Sequence, residues 1–175
     1  MTKFNQLQTK DDFAKLLGFK NARYINYLLY NVQTDNLYTT FTIPKKNGGE
    51  RVIHAPSKEL KFLQKKLANI LWECYLESLE SKSKDKNFKT PVLSHAFEKG
   101  KSIITNSQMH RNKKYILNID LKNFFDSFNF GRVRGFFIKD RDFAVSPEIA
   151  TVIAQIVCYQ GKLPQGAPSS PIITI

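Results

Sequence analysis

The stretch Tyr115-Ile116-Leu117-Asn118-Ile119-Asp120-Leu121-Lys122-Asn123-Phe124-Phe125-Asp126-Ser127-Phe128 constrains this chain more than any other. It begins as a short run of apolar, strand-forming residues. Strand side chains alternate between faces, so Leu117 and Ile119 are expected to enter a core while Asn118 and Asp120 share the opposite face. Asp120 then closes the strand. A carboxylate at the exposed end of a buried strand suits a hard divalent cation, with Phe124 and Phe125 walling the pocket beside it. An aspartate at a strand end also favours a plain turn, so the position has two readings at this point.

Charge narrows the partners. Lys plus Arg number 27 against 15 Asp plus Glu, a formal +12, and so large an excess calls for a polyanion: nucleic acid first, an anionic membrane second. No uninterrupted apolar run approaches the roughly 20 residues a membrane helix needs. The polar start Met1-Thr2-Lys3-Phe4-Asn5-Gln6 does not read as a signal peptide, so no membrane partner and a cytoplasmic location are expected. Cys74 and Cys158 lie in apolar helical patterns and read as buried thiols in a reducing compartment. His54, His95 and His110 show no metal-ligand spacing with them. With 42% hydrophobic residues the chain has enough apolar surface for a real core, in one domain or two small lobes.

In chain order, Thr9 caps a short helix with Phe13, Leu16 and Leu17 on one face and Gly18 as its stop, and Ile25, Leu28, Leu29 and Val32 continue at helical spacing. Tyr38 to Ile43 and Glu50 to His54 read as two strands of a hairpin around Pro44-Lys45-Lys46-Asn47-Gly48-Gly49. Its cationic tip suits phosphates through Arg51 and Lys45 or Lys46, and it also suits a solvated turn in which lysine discourages edge pairing. Pro56 and Ser57 introduce a long helix with Leu60, Leu63, Leu67, Ile70, Leu71 and Cys74 on one face, and Trp72 is expected to pack at the core or its rim. Glu80 to Lys89 is expected to be an exposed loop. The basic patch His110-Arg111-Asn112-Lys113-Lys114 then delivers the chain to the Asp120 strand. Residues 129 to 137 look helical, and a stronger helix runs from the cap Ser146 with Pro147 through Val157 to a stop at Gly161. The loop Leu163-Pro164-Gln165-Gly166-Ala167-Pro168-Ser169-Ser170-Pro171 fixes an unusual backbone path and lets a substrate approach the main chain.

Taken together, four ordered blocks resemble the reverse transcriptases and, within them, the bacterial retron type. They are Arg51-Val52-Ile53-His54-Ala55-Pro56 with Leu60-Lys61 and Gln64; Ala96-Phe97-Glu98-Lys99-Gly100-Lys101-Ser102-Ile103; Asn118-Ile119-Asp120-Leu121-Lys122-Asn123-Phe124-Phe125; and Leu163 to Pro171. The resemblance implies an α+β fold, the fingers and partial palm of a right-hand polymerase with an N-terminal helical extension. Its parts would be the extension at 1–35, fingers at 36–113, the first palm strand at 114–130, a helical fingers/palm insertion at 131–164 and the start of a second palm segment at 165–175. It further implies RNA-directed DNA polymerase activity with two magnesium ions. Asp120 would be the catalytic metal ligand, with the carbonyl of Ile119 or Leu121 as a further donor. Phe125 would be a steric gate favouring deoxynucleotides. Arg51, with Lys45 or Lys46, would grip the triphosphate, Gln165 and Gly166 would position the nucleotide, and Lys99, Lys101, Arg111, Lys113 and Lys114 would hold nucleic acid. Implied partners are a structured RNA template and primer, the DNA product, deoxynucleoside triphosphates, the remainder of the palm and thumb, and a retron effector protein in anti-phage defence.

Two departures matter. Asp126 stands where such blocks commonly carry proline, and reads as a helix-start residue beyond the strand end, not as a second ligand. The family's Tyr-x-Asp-Asp strand is not among these 175 residues, and Asp11-Asp12 sits in the N-terminal cap, so the isolated chain is expected to be inactive or nearly so. A non-catalytic RNA-binding module built on the same fingers is the alternative from another class. Group II intron and abortive-infection reverse transcriptases share the same blocks.

Overall fold

The structure is a computed structural model that describes residues 3–45, 48–85, 94–98 and 100–175, with the side chains of Thr34 and Asp35 also left aside. Lys46 and Lys99 therefore lie outside the described residues.

Local sequence signals start most elements. Helix α1, Lys10–Leu16, opens with a capping box in which Thr9 accepts from the Asp12 amide and Asp12 accepts from the Thr9 amide. Helix α2, Arg23–Asn26, continues into a π-helical turn at Tyr27–Asn31. Strands β1, Tyr38–Pro44, and β2, Glu50–Pro56, pair antiparallel with Tyr38 opposite Pro56, Phe41 opposite Ile53 and Ile43 opposite Arg51. The expected hairpin is present, each strand extended beyond its expected end. Helix α3, Lys58–Ser83, is capped by Ser57; α4, Ile103–Met109, by Ser102; α5, Phe130–Lys139, by Asn129; and α6, Pro147–Val157, by Ser146 with proline in the first turn. The short helix α7, Ser170–Ile173, follows the proline-rich loop.

Helix α6 is the centre of the core: Ile149, Ala150, Val152, Ile153, Ala154, Ile156 and Val157 are all buried, and α1, α3 and α5 pack around it. Phe4 stacks on Phe137 at 6.2 Å between ring centroids and meets Phe143 edge-on at 5.9 Å, so the N-terminal segment shares this core. Cys74 is buried, and burial pushes the Cys158 thiol up to about 12, in keeping with two unreactive thiols. Trp72 is partly buried against the core and meets Tyr75 edge-on, a rim position.

Two expectations are corrected. Helix α3 does not stop before Glu80 but runs to Ser83, because its last turns are anchored: the buried Ser78 hydroxyl donates to Asp142 at 2.8 Å, and the Lys82 ammonium reaches the same carboxylate oxygen at 2.6 Å. Residues 86–93 of the expected loop lie outside the described residues. The strand expected to end at Asp120 is also not formed. Residues 115–121 make no β-ladder, and Leu117, Ile119 and Leu121 are exposed rather than inserted in a core, at 84%, 73% and 63%. The reason is pairing: the hairpin is the single sheet among the described residues, and a strand without a neighbour has no partners for its amides and carbonyls.

Lys82 first, and Ser78 second, hold the Asp142 carboxyl below its usual range. A carboxylate whose folded pKa is depressed stabilises the fold above the unfolded pKa and loses that effect as pH falls through the folded value. Asp142→Asn is expected to cost about 1 kcal/mol at neutral pH, the pair being partly solvent-screened, and nothing once the wild-type carboxyl is protonated. Urea melts of both proteins down the acid limb check this; a constant gap between them at every pH would refute it.

Candidate nucleotide-binding and catalytic site

The geometry centres on β2. Adjacent strand residues point to opposite faces, and the loop after α6 clasps both. On one face, Tyr38 stacks on Tyr159 at 4.1 Å and the His54 ring lies 5.0 Å from Tyr159. On the other, Ile53 packs against Gly166. Between them the His54 amide donates to the Gln165 carbonyl at 2.9 Å, joining loop to strand.

Glycine is required at that closure. Gly166 has φ +115°, and a β-carbon there would sit 2.9 Å from Ile53 Cγ2 and 3.2 Å from the His54 carbonyl oxygen. Behind the strand, the buried Gln64 Nε2 donates to the Tyr38 hydroxyl at 3.0 Å and to the Ile156 carbonyl at 2.8 Å, fastening α3 to the end of α6. Pro164 is held in turn, its carbonyl accepting from the Ser170 hydroxyl at 2.8 Å.

The same loop fixes the Phe125 turn. The Leu163 amide donates to the Phe128 carbonyl at 3.1 Å, the Phe130 amide to the Gly161 carbonyl at 2.8 Å, and Lys162 pairs with Asp126 at 3.1 Å. Asp126 thus lies in the one-turn helix Phe125–Ser127, as its helix-start reading anticipates, and its charge is engaged by Lys162. Phe125 is half-buried, edge-on to Phe124 at 5.6 Å and packed on the core. Asn123 takes a left-handed conformation, φ 54°, which asparagine tolerates and which turns the chain from the Asp120 segment into this helix.

Phe125, Gln165 and Gly166 are therefore tied to one loop. Arg51 sits on the same sheet face as Ile53, two residues closer to the tip, so its exposed guanidinium shares the face that Gly166 closes. Lys45 is exposed at the tip, its amide donating to the Gly49 carbonyl at 2.9 Å. Asp120 is exposed and has no ion-pair partner among the described residues. No group of three or more His, Cys, Asp and Glu side chains is placed to hold a metal among the described residues, so Asp120 by itself does not make a magnesium centre. Lys101, Arg111, Lys113 and Lys114 are exposed on the segment that includes α4, with Lys114 Nζ 5.4 Å from the Tyr115 ring centroid.

Sequence reasoning missed Tyr159 and Lys162, which carry no local pattern, and gave Gln64 no role beyond its place in a block. A buried glutamine on the apolar face of α3 was the available signal for a polar knot.

Comparison with known proteins bears on this arrangement. The sequence pattern of the family described as reverse transcriptase (RNA-dependent DNA polymerase) matches residues 43–175, which is most of the chain and includes Lys45, Arg51, Asp120, Phe125, Gln165 and Gly166. The chain belongs to the reverse transcriptase family. Its α+β fold is the fingers and partial palm of that family. Within the family it is similar to the retron Ec86 reverse transcriptase of Escherichia coli, 38% identical over 150 residues that cover 84% of this chain and 41% of that protein. The retron Mx65 and Mx162 reverse transcriptases of Myxococcus xanthus are 31% and 29% identical, covering 95% and 97% of this chain and 40% and 36% of theirs. The chain spans about two-fifths of the length of these curated relatives. No described helix of this reverse transcriptase segment is long and apolar enough to cross a membrane.

Proposed function

We propose that these residues are the fingers and first palm segment of a retron-type RNA-directed DNA polymerase that copies a structured non-coding RNA into DNA in the cytoplasm, in anti-phage defence with an effector protein. The observation that carries the reading is the closure of the Gln165–Gly166 loop on the strand that bears Arg51, which gathers nucleotide-binding candidates from distant parts of the chain onto one sheet face. The parts are those expected from the sequence: an extension at 1–35, fingers at 36–113, a palm segment at 114–130, an insertion at 131–164 and a second palm segment from 165.

In this reading Arg51 and Lys45, with Lys46, bind the triphosphate of an incoming deoxynucleotide. Gln165 and the bare backbone of Gly166 orient it against the template. Phe125, held by the 161–163 strap, blocks the position of a ribose 2′-hydroxyl. Lys101, Arg111, Lys113 and Lys114, with Lys99, contact the backbone of the template and primer. Asp120 contributes one carboxylate to a two-magnesium centre whose other ligands come from the remainder of the palm; the ions would supply the charge stabilisation that phosphoryl transfer needs. The exposed 115–121 segment is the edge onto which that remainder adds.

Primer extension on an RNA template tests the reading, using residues 1–175 and a protein that carries the remaining palm and thumb. The longer protein extends with deoxynucleotides and the short one does not. Phe125→Ala in the longer protein raises ribonucleotide use about tenfold or more relative to deoxynucleotide, the scale on which pocket size discriminates small groups. Absence of extension by the longer protein, with structured RNA still bound, favours the non-catalytic module instead; the observation on that side is that Asp120 joins no group of three metal-ligating side chains among the described residues.

A further inference from the structure

The face of α3 turned away from the core carries a cluster that the polymerase reading does not use. Phe62 and Lys66, four residues apart, lie on one side of its first half roughly opposite Gln64, which reaches inward to Ile156, with Lys58 and Lys65 toward one flank and Glu59 toward the other. Phe62 is 50% exposed. Against it lie two aromatic rings from the N-terminal region: Phe19 meets Phe62 edge-on at 6.3 Å and stacks on Tyr24 at 5.1 Å. The Lys66 ammonium lies over both rings, 5.5 Å from the Phe19 centroid and 5.1 Å from that of Phe62, and close to Gly18.

The charge of this face is unbalanced. Lys66 has no carboxylate partner among the described residues, and aromatic rings hold an ammonium without neutralising it. Exposed Lys58 and Lys65 lie on one flank of it, exposed Lys20 and Arg23 flank Phe19 and Tyr24 in sequence, and Glu59, on the other flank of the same helix side, is the acid close to Tyr24. By contrast, Glu73 and Glu77 further along α3 are engaged by Lys3 at 3.6 and 3.8 Å. An exposed aromatic ring beside a fixed, uncompensated cation complements an unpaired base and its phosphate, whereas a duplex hides its base faces.

We propose that the Phe19–Tyr24–Phe62–Lys66 face is a docking platform for single-stranded nucleic acid, separate from the hairpin and loop that bind the nucleotide. An unpaired base stacks on Phe62 while Lys66, aided by Lys65, binds the flanking phosphate. This rests on the surface chemistry of α3 and not on catalysis, so failure of primer extension leaves it standing.

Fluorescence anisotropy of labelled oligouridylate and oligothymidylate, each about 20 nucleotides long, and of a length-matched RNA duplex, titrated with the 175-residue chain over a range of salt, tests the proposal. Phe62→Ala weakens both single strands about tenfold without changing the salt slope, and Phe62→Leu, which keeps the apolar bulk, weakens them similarly. Lys66→Gln lowers the slope by about one. Duplex binding is unchanged in all three, and Arg51→Ala leaves the Phe62-dependent increment intact. Single-strand affinity unaffected by Phe62→Leu and Lys66→Gln overturns the proposal. An equal loss for single strand and duplex also overturns it, since that is general charge loss. A larger effect on uridylate than on thymidylate assigns the platform to RNA, and equal effects assign it to either strand; both support it.

Discussion

Gly166→Ala is expected to destabilise the protein by about 3 kcal/mol and, if the loop binds nucleotide as proposed, to abolish that binding; among the described glycines it has the closest neighbour to an added β-carbon. Two costs combine. At φ +115° a side chain is strained whatever space surrounds it, and the added carbon would stand 2.9 Å from Ile53 Cγ2 and 3.2 Å from the His54 carbonyl oxygen. One neighbour is a branched side chain packed in the hairpin and the other is backbone, so neither yields cheaply. Relief comes by moving the loop off β2, which breaks the bond from the His54 amide to the Gln165 carbonyl and separates Gln165 from the Arg51 face. Gly131→Ala is the control: its new carbon meets the Asn129 side chain at an ordinary 3.5 Å, within a helix. Urea melts of both variants measure the gap. Equal stability of the two would show that the loop does not need its close approach to the strand.

Asp120→Asn has the opposite signature. The carboxylate is exposed and has no ion pair among the described residues, so its loss is expected to leave stability within about 0.5 kcal/mol of the wild type. In a protein that carries the remaining palm, the same change is expected to lower primer extension at least about a thousandfold, equivalent to about 4 kcal/mol of barrier, because asparagine keeps the shape and removes the charge a divalent ion needs. Melting curves and single-turnover extension on the same samples separate the two readings of Asp120. Full activity of the variant ends its role as metal ligand, and a clear loss of stability would return it to the turn reading.

The elements that the sequence declares by itself are those whose signals are local. Thr9 and Ser146 cap the helices their positions announce, and Ser57 and Asn129, at the starts of the other two helical stretches, cap theirs, because a cap needs one side chain and the amide three residues on. The 3.6-residue spacing of Ile149, Ile153 and Ile156 marks a buried helix without reference to what covers it. The hairpin follows from two strand-forming runs around Asn47-Gly48-Gly49.

Other features were out of reach for stated reasons. The end of α3 is set by Asp142, about 60 residues away in sequence, since Ser78 and Lys82 gain their partner only in the folded chain. The Asp120 segment has the alternation of a strand, but alternation states which side chains would share a face and not whether a neighbouring strand exists; without one, residues 115–121 stay outside any ladder and exposed. Gly166 is conspicuous in sequence only as one glycine among prolines.

The sequence alone thus determined the family blocks, the helix starts, the hairpin and the cationic excess, all of which depend on residues near one another along the chain. Tertiary structure alone decided that the 159–166 loop clasps β2 on both faces, that Lys162 straps the Phe125 turn, and that Lys66 lies over Phe19 and Phe62 on the outer face of α3. Those pairings depend on which surfaces the core brings together, and no local rule of spacing records them.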